Sequence, residues 1–89
     1  MSTKSSRHMG RIAAIGCIVC KNVLNEQSPA EVHHIGDTAE RSDYLTIPLC
    51  PLHHRLGGLG VAYHAGPKEF ERQFGSELQL LDMTLQALA

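Results

Sequence analysis

The hydrophobic and polar positions along the chain predict short elements separated by turn residues. Residues 1–7 are polar and basic, which predicts a flexible arm, and the segment that follows, up to residue 15, is long enough for about two turns of helix. Strand-forming residues recur over 31–35 and again over 44–47, and Pro48 restricts the second strand to an edge position. The two segments predict a short antiparallel hairpin.

The second half of the chain predicts three helices. Pro51 is suited to the first position of a short helix that ends at a run of glycines. A second helix is predicted from about Pro67, with Phe70 on its inner face, and Ser76 is suited to cap a last helix. Leucines recur every three or four residues in that helix and form an amphipathic stripe. These residues are Leu78, Leu81, Leu85 and Leu88.

The length of 89 residues predicts one domain with an arm, residues 8–89 after residues 1–7. Aromatic residues make up only 4% of the chain, so a self-sufficient core is not expected. Three cysteines and six histidines are the obvious alternative source of stability. The formal net charge of −1 gives no global attraction to a polyanion, so nucleic-acid binding would need local charge, a metal or a partner.

The cysteine count indicates a reducing compartment. Three cysteines cannot all pair into disulfides, and the polar N-terminal residues do not resemble a secretory signal. No apolar run approaches the roughly 18 residues that a membrane span requires. We therefore expect a cytoplasmic protein without a membrane segment, in which clustered cysteines are more often metal ligands.

Two pairs of soft ligands have the spacing of zinc knuckles. Cys17 and Cys20 are separated by two residues, and so are Cys50 and His53. This spacing lets a tight turn aim both side chains at one ion, and the two pairs together supply the four ligands of a closed structural zinc site. The alternative is that the thiols are small buried core residues and His53 lies at the surface. The paired spacing favours zinc, whose binding energy would be folding energy.

The remaining histidines predict a second, open metal site. His33 and His34 are adjacent on a predicted strand, so their side chains face opposite ways, and His54 is rotated away from the zinc ligand beside it. One strand histidine and His54 could hold a divalent ion such as Mg²⁺, Mn²⁺ or Zn²⁺, and the other strand histidine could take a proton from water. His64 could be a ligand or could cap the helix that begins near Pro67.

These motifs resemble the HNH (ββα-metal) endonuclease family. The resemblance rests on the Cys17 and Cys20 knuckle, on the strand over 31–35, and on the segment over 48–55 that holds Cys50 and the paired histidines. Further residues over 70–78 make the chain most similar to the phage recombination-enhancement (Ref) nucleases, which depend on RecA. The resemblance covers residues 8–81 and implies a small zinc-stabilised α+β domain of the ββα-metal type with flanking C-terminal helices.

The resemblance also implies a role for each histidine. His33 takes the place of a metal ligand, His34 that of the general base, and His54 that of a second metal ligand. The family's asparagine would fall at Leu45 and its last histidine at Gly58, so both are missing. Asp43 or Tyr44 is a candidate to replace the asparagine. His64 is a candidate to replace the missing ligand.

The implied partners are DNA and a RecA filament. Related nucleases carry a basic N-terminal segment, whereas the cations near this N-terminus are few, which predicts weak and salt-sensitive binding of DNA by the chain alone. These cations are Lys4, Arg7, Arg11 and Lys21. A RecA filament would then present the DNA. Arg55, beside His54, is a candidate to hold a phosphate near the metal, or else a solvated helix residue.

The leading hypothesis is therefore a metal-dependent DNA endonuclease. The rival is a non-catalytic zinc-binding module that binds DNA or protein, which the missing asparagine and last histidine favour and the intact His33, His34 and His54 oppose. A third hypothesis is a zinc-stabilised interaction domain that dimerises through its leucine stripe, which leaves the paired histidines unexplained.

Overall fold

The computed structural model describes residues 3–36 and 42–88. These residues form a small α+β fold with a two-stranded antiparallel hairpin and helices, as the sequence predicts. The helices and strands are α1 (Thr3–Ile15), β1 (Glu31–His34), β2 (Thr46–Leu49), α2 (Pro67–Phe74) and α3 (Glu77–Leu88). Three short helical turns connect them, at Cys20–Leu24, Leu52–Leu56 and Tyr63–Ala65. No helix among the described residues has the length and apolar character needed to cross a membrane.

The hairpin places His33 and His34 at the end of strand β1. Its register pairs Glu31 with Leu49, Val32 with Pro48, His33 with Ile47 and His34 with Thr46. The second strand begins two residues later than predicted and contains Pro48, which a strand paired on one side only can accommodate. Tyr44 lies instead in the turn before the strand, where the Thr46 hydroxyl donates to the Asp43 carbonyl over 3.2 Å.

The N-terminal arm was predicted wrongly over the residues that the structure describes. Helix α1 begins at Thr3, so residues 3–7 lie in its first turns. The side chains of Ser5 and Ile12 are buried, seven residues apart on one helical face, where α1 packs against β2 and α3. The polar composition of this segment indicated an arm because its helix has only a narrow apolar face. Docking on the hairpin stabilises the helix.

The start of α3 follows the prediction closely. Phe70 is fully buried on α2, and Ser76 precedes α3. The Gln79 backbone N–H donates to the Ser76 hydroxyl over 3.1 Å, and the Ser76 backbone N–H donates to the Gln79 side-chain oxygen over 2.8 Å. This reciprocal pair is a capping box, which satisfies two N–H groups that the helix start would otherwise leave unpaired. Ser76 is therefore confirmed as the cap.

The predicted leucine stripe on α3 lies only partly on the inner face of the helix, where Leu81 packs against the core. Leu78 is 70% exposed and Leu85 is 47% exposed, whereas Leu80 and Thr84 are buried. The inner face includes two polar residues whose polar atoms are satisfied: the Thr84 hydroxyl donates to the Leu80 carbonyl over 2.8 Å, and Glu77 bonds a histidine described below. Burying satisfied polar groups is inexpensive. The inner face is therefore rotated by about one residue from the leucine pattern.

The hydrophobic core is built around the cysteines. Ile18, Ile47, Leu49, Phe70 and Leu80 are buried in one cluster with all three of them. A core of this size is small, and the thiol groups lie inside it rather than at its margin. Ligands of any ion bound there would be core residues as well.

Candidate metal centres

Two tight turns place the first cluster of ligands. Gly16, at φ +85°, reverses the chain after α1. A Cβ added there would be strained at this φ, would clash with the Gln27 side-chain nitrogen and would lie 3.0 Å from the Ser28 carbonyl oxygen. In the turn that follows, the Lys21 N–H donates to the Cys17 carbonyl over 3.0 Å. The second turn repeats this bond after β2, where the His54 N–H donates to the Cys50 carbonyl over 2.9 Å. Both ligand pairs therefore sit on the same kind of turn.

The distances within this cluster fit a tetrahedral zinc ion. The sulfurs of Cys20 and Cys50 are 3.8 Å apart, and His53 Nδ1 lies 3.6, 3.5 and 3.2 Å from the sulfurs of Cys17, Cys20 and Cys50. Ligands around one tetrahedral zinc, with Zn–S about 2.3 Å and Zn–N about 2.0 Å, lie about 3.8 Å apart for two sulfurs and about 3.5 Å for sulfur and nitrogen. The buried cluster can therefore hold a metal such as zinc.

Burial and hydrogen bonds set the protonation of this cluster. Burial raises the pKa of the Cys17 thiol to about 12 and lowers the pKa of His53, whose ring also packs on Phe74. Burial acts to raise the pKa of Cys50 too, but hydrogen bonds from the His53 backbone N–H and from Cys17 outweigh it and lower that pKa. Zinc binds the neutral imidazole and the cysteine thiolate, so one histidine and three cysteines are a donor set that it prefers.

A second cluster brings together three histidines from separate elements. His33 comes from β1, His54 from the turn over Leu52–Leu56, and His64 from the turn over Tyr63–Ala65. Their ligand nitrogens all lie within 4.8 Å of one another. The Nε2 atoms of His54 and His64 are 3.1 Å apart. Two nitrogens bound to one ion at about 2.1 Å lie about 3.0 to 3.4 Å apart, so these side chains fit a shared metal.

A glycine turn accounts for the arrival of His64. The chain reverses at Gly58, whose φ is +80°, and the Ala62 N–H donates to the Gly58 carbonyl over 2.8 Å. This turn returns the chain to the histidines of β1 and the preceding helical turn. Gly58 is the position where the resemblance would place the last ligand. His64 is instead the third histidine of the cluster.

Two carboxylates hold the histidines of this cluster from behind. Glu77 Oε2 lies 2.8 Å from His33 Nε2, and Glu31 Oε1 lies 2.9 Å from His54 Nδ1. A carboxylate on one ring nitrogen fixes the imidazole and leaves the other nitrogen for a metal. Burial lowers the pKa of His33, which keeps its ring in the neutral form that binds cations. The donor set of the second cluster therefore also fits a divalent ion.

His34 lies outside this cluster and has its own partner. Its side chain leaves the strand on the face opposite to His33, and its Nε2 lies 2.8 Å from Asp43 Oδ1. The hydrogen bond with His34 lowers the pKa of Asp43, and a bond from the Ser5 hydroxyl lowers it further. An ionised Asp43 accepts a hydrogen bond from the Nε2–H group of His34. Nδ1 is then the ring nitrogen that can accept a proton.

Arg55 is engaged by a carboxylate of the same site. Its Nε and Nη2 donate to the two oxygens of Glu31 over 3.0 and 2.6 Å. These bonds, followed by the one from His54, lower the pKa of Glu31 to about 2 and raise that of Arg55. Arg55 therefore positions Glu31, which positions His54. A phosphate contact made by the outer edge of the half-exposed guanidinium stays a prediction.

The two carboxylates were missed as site residues at the level of sequence. Glu31 carries a usable signal, because it lies two residues before His33 and so shares its face of the strand. Glu77 carries none, since only the packing of α3 against the rest of the domain brings it to His33. Asp43, a candidate to replace the missing asparagine, lies next to the histidine proposed as base.

Glu31→Gln is expected to weaken divalent-ion binding at the histidine cluster by about 10- to 100-fold, because the amide is a poorer acceptor for the His54 N–H and for Arg55. The matched control is Glu69→Gln on α2, which lies in an ion pair with Arg72 on the same helix. Titration with Mn²⁺ followed by electron paramagnetic resonance measures both. Equal affinity in the two variants would show that Glu31 has no positioning role.

The fold and its two clusters define the class of this protein: a small α+β domain with a buried three-cysteine, one-histidine centre and a second centre of three histidines. The family model "Recombination enhancement, RecA-dependent nuclease" matches residues 2–89, and the chain belongs to that family. The resemblance to these nucleases is thereby confirmed, and by family the chain is a RecA-dependent nuclease of recombination enhancement. No curated protein matches the chain at a significant level.

Proposed function

We propose that this protein is a metal-dependent DNA endonuclease of the HNH (ββα-metal) type, with His34 as its general base and DNA in a RecA filament as its substrate. The observation that carries the proposal is the convergence of His33, His54 and His64 within 4.8 Å, two of them held by carboxylates. Membership in a nuclease family gives that cluster a reaction to perform. Cys17, Cys20, Cys50 and His53 hold a structural zinc ion in this proposal.

The order of elements supports the HNH type. Two antiparallel strands are followed directly by a helical turn, and the cluster takes His33 from the first strand and His54 from that turn. The structural cluster anchors the same turn through Cys50 and His53. Because His53 and His54 are adjacent, fixing the first ion orients the ligand of the second.

The two faces of strand β1 contribute different groups to the proposed reaction, His33 on one face and His34 on the other. His33, His54 and His64 would hold a divalent ion, which would supply charge stabilisation to the scissile phosphate. His34 accepts a proton from the attacking water at Nδ1, while Asp43 holds its Nε2 proton and fixes the ring. The Asp43 carboxylate also stabilises the imidazolium that forms. Arg55 and Glu31 keep His54 in place through these events.

The cysteines and the low net charge also support a proposal for the compartment and the partner of this protein. We propose that the protein acts in the cytoplasm, where thiols stay reduced and available to zinc. The family name ties activity to RecA. A RecA filament that presents DNA would offset the low net charge of the chain, which is −1.

A second candidate is a non-catalytic zinc-binding module. The glycine at position 58 and the leucine at position 45 favour it, because both replace residues that the HNH type uses. Two contacts favour the enzyme: His64 joins the cluster despite Gly58, and Asp43 bonds His34. A degenerate site has no need of either contact.

Counting ions separates the two candidates. We expect the wild-type chain to hold one tight zinc and one weaker Mn²⁺, and His54→Ala and His64→Ala to keep the zinc and lose the Mn²⁺. The matched control is His8→Ala, which removes a histidine outside both clusters and keeps both ions. Zinc by elemental analysis and Mn²⁺ by electron paramagnetic resonance give the counts. A wild-type chain with zinc alone would favour the module and overturn the nuclease.

A further inference from the structure

The cations of the chain are unevenly distributed. Residues 1–25 hold four of its eight lysines and arginines and none of its nine acids. The remaining residues therefore carry a net negative charge, and the near-neutral total conceals one basic region. Local positive charge of this kind attracts polyanions even when the whole protein does not.

Three of these cations line one groove. Lys4, Arg7 and Arg11 share one exposed face of α1, and Ser5 and Ile12 on the neighbouring face are buried. The groove has a volume of about 690 Å³, and no acid among the residues that the structure describes lines it. Its lining residues are Lys4, Arg7, Gly10, Arg11, Ala14 and Tyr44. Among the described residues, none of the three cations pairs with a carboxylate.

An aromatic ring forms the wall of this groove opposite the helix. Tyr44 is 48% exposed, and its ring lies against His8 of α1, with ring centroids 5.2 Å apart. A half-exposed ring held in place beside cations is the arrangement that binds single nucleic-acid strands, because the cations contact phosphates and the ring stacks on a base. From Lys4 to Arg11 the helix rises about 10 Å, which spans about three phosphates of one strand.

We propose that Lys4, Arg7, Arg11 and Tyr44 bind the sugar–phosphate backbone of one DNA strand and lead it to His34. Tyr44 follows Asp43 directly in sequence, and Asp43 bonds His34 at 2.8 Å. Ser5, beside Lys4, donates a hydrogen bond to the same carboxylate. The helix that lines the groove and the proposed base therefore both contact Asp43. The assignment of the end of the groove to His34 rests on the proposed function, whereas DNA binding by the groove does not.

Gly10 offers a direct test of the groove. A side chain added there meets no atom within 4 Å, and the glycine lies in a helix, where most residues are favoured over glycine. Gly10→Glu places a negative charge in the groove, Gly10→Lys a positive charge and Gly10→Ala neither. The series therefore changes the charge of the groove without removing any contact of the fold.

The measurement is fluorescence anisotropy of a short labelled DNA strand with the zinc-loaded 89-residue chain and no added Mg²⁺ or Mn²⁺. At about 50 mM salt we expect Gly10→Glu and Arg7→Gln to weaken binding by about tenfold each, and Arg7→Gln to lower the salt slope by about one. Gly10→Lys is expected to strengthen binding, and Gly10→Ala to leave it unchanged. Tyr44→Ala is expected to weaken binding without changing the salt slope.

Lys68→Gln is the matched control, because Lys68 is an exposed cation on α2 outside the groove. Equal affinity across the Gly10 series, or equal losses in Lys68→Gln and Arg7→Gln, would overturn the groove. Binding that follows the series in a chain that never cleaves DNA would support the groove and contradict the nuclease. Normal cleavage of DNA together with an affinity that does not change across the Gly10 series would support the nuclease and overturn the groove.

Discussion

Removal of zinc is expected to unfold most of the chain, the largest effect on stability that any single change should produce. Cys17, Cys20, Cys50 and His53 are each no more than 6% exposed and lie within the core rather than beside it. Zinc binding supplies roughly 10–16 kcal/mol in zinc-finger peptides, comparable to the roughly 5–15 kcal/mol that stabilises a whole small protein. The metal-free chain therefore lacks the free energy to hold its turns together.

The measurement is thermal unfolding followed by far-ultraviolet circular dichroism, before and after treatment with a strong zinc chelator. We expect the cooperative transition to disappear and to return when zinc is restored. His54→Ala is the control, since it removes a ligand of the second cluster and leaves the first one complete. A metal-free chain that keeps the transition and its midpoint would contradict a structural role for the ion.

His34→Ala is expected to reduce DNA nicking by about 10²- to 10⁴-fold, the range that a general base contributes. The loss should come from proton transfer alone, because His34 is only partly buried and belongs to neither metal cluster. The carboxylate of its partner Asp43 is a much weaker base than an imidazole, so Asp43 does not replace the lost proton acceptor.

Two measurements make the His34 result specific. Zinc content and the thermal midpoint of the variant should match those of the wild type, which shows that the fold survives. Gln73→Ala, an exposed polar position on α2, should nick DNA at the wild-type rate. Unchanged nicking by a folded His34→Ala protein would remove His34 from the role of base.

Local sequence signals predicted the hairpin, the Ser76 cap and the buried Phe70, because each depends on neighbouring residues. The face of α3 could not be predicted in this way. Its pattern of leucines is ambiguous by about one residue, and Thr84 and Glu77 on the inner face settle the orientation through bonds that only the folded chain shows. The start of α1 failed for the same reason, since docking stabilises a helix of polar composition.

The residues of the candidate site also differ in how far the local sequence predicts them. Knuckle spacing predicted which four residues form the buried cluster, because ligands two residues apart share one turn. His64 was a weaker candidate, since its place beside His54 depends on the turn at Gly58. The bond from Glu77 to His33 joins residues 44 positions apart and leaves no trace in either segment.

In the proposed reaction, His34 and one divalent ion act together on DNA that a RecA filament presents. This reaction is tested most directly by the initial rate at which zinc-loaded wild-type and His34→Ala proteins nick plasmid DNA, with and without a RecA filament and with and without Mg²⁺. We expect nicking only by the wild-type protein, and only when both RecA and Mg²⁺ are present. Nicking by His34→Ala at the wild-type rate, or wild-type nicking that needs neither RecA nor Mg²⁺, would contradict the proposal.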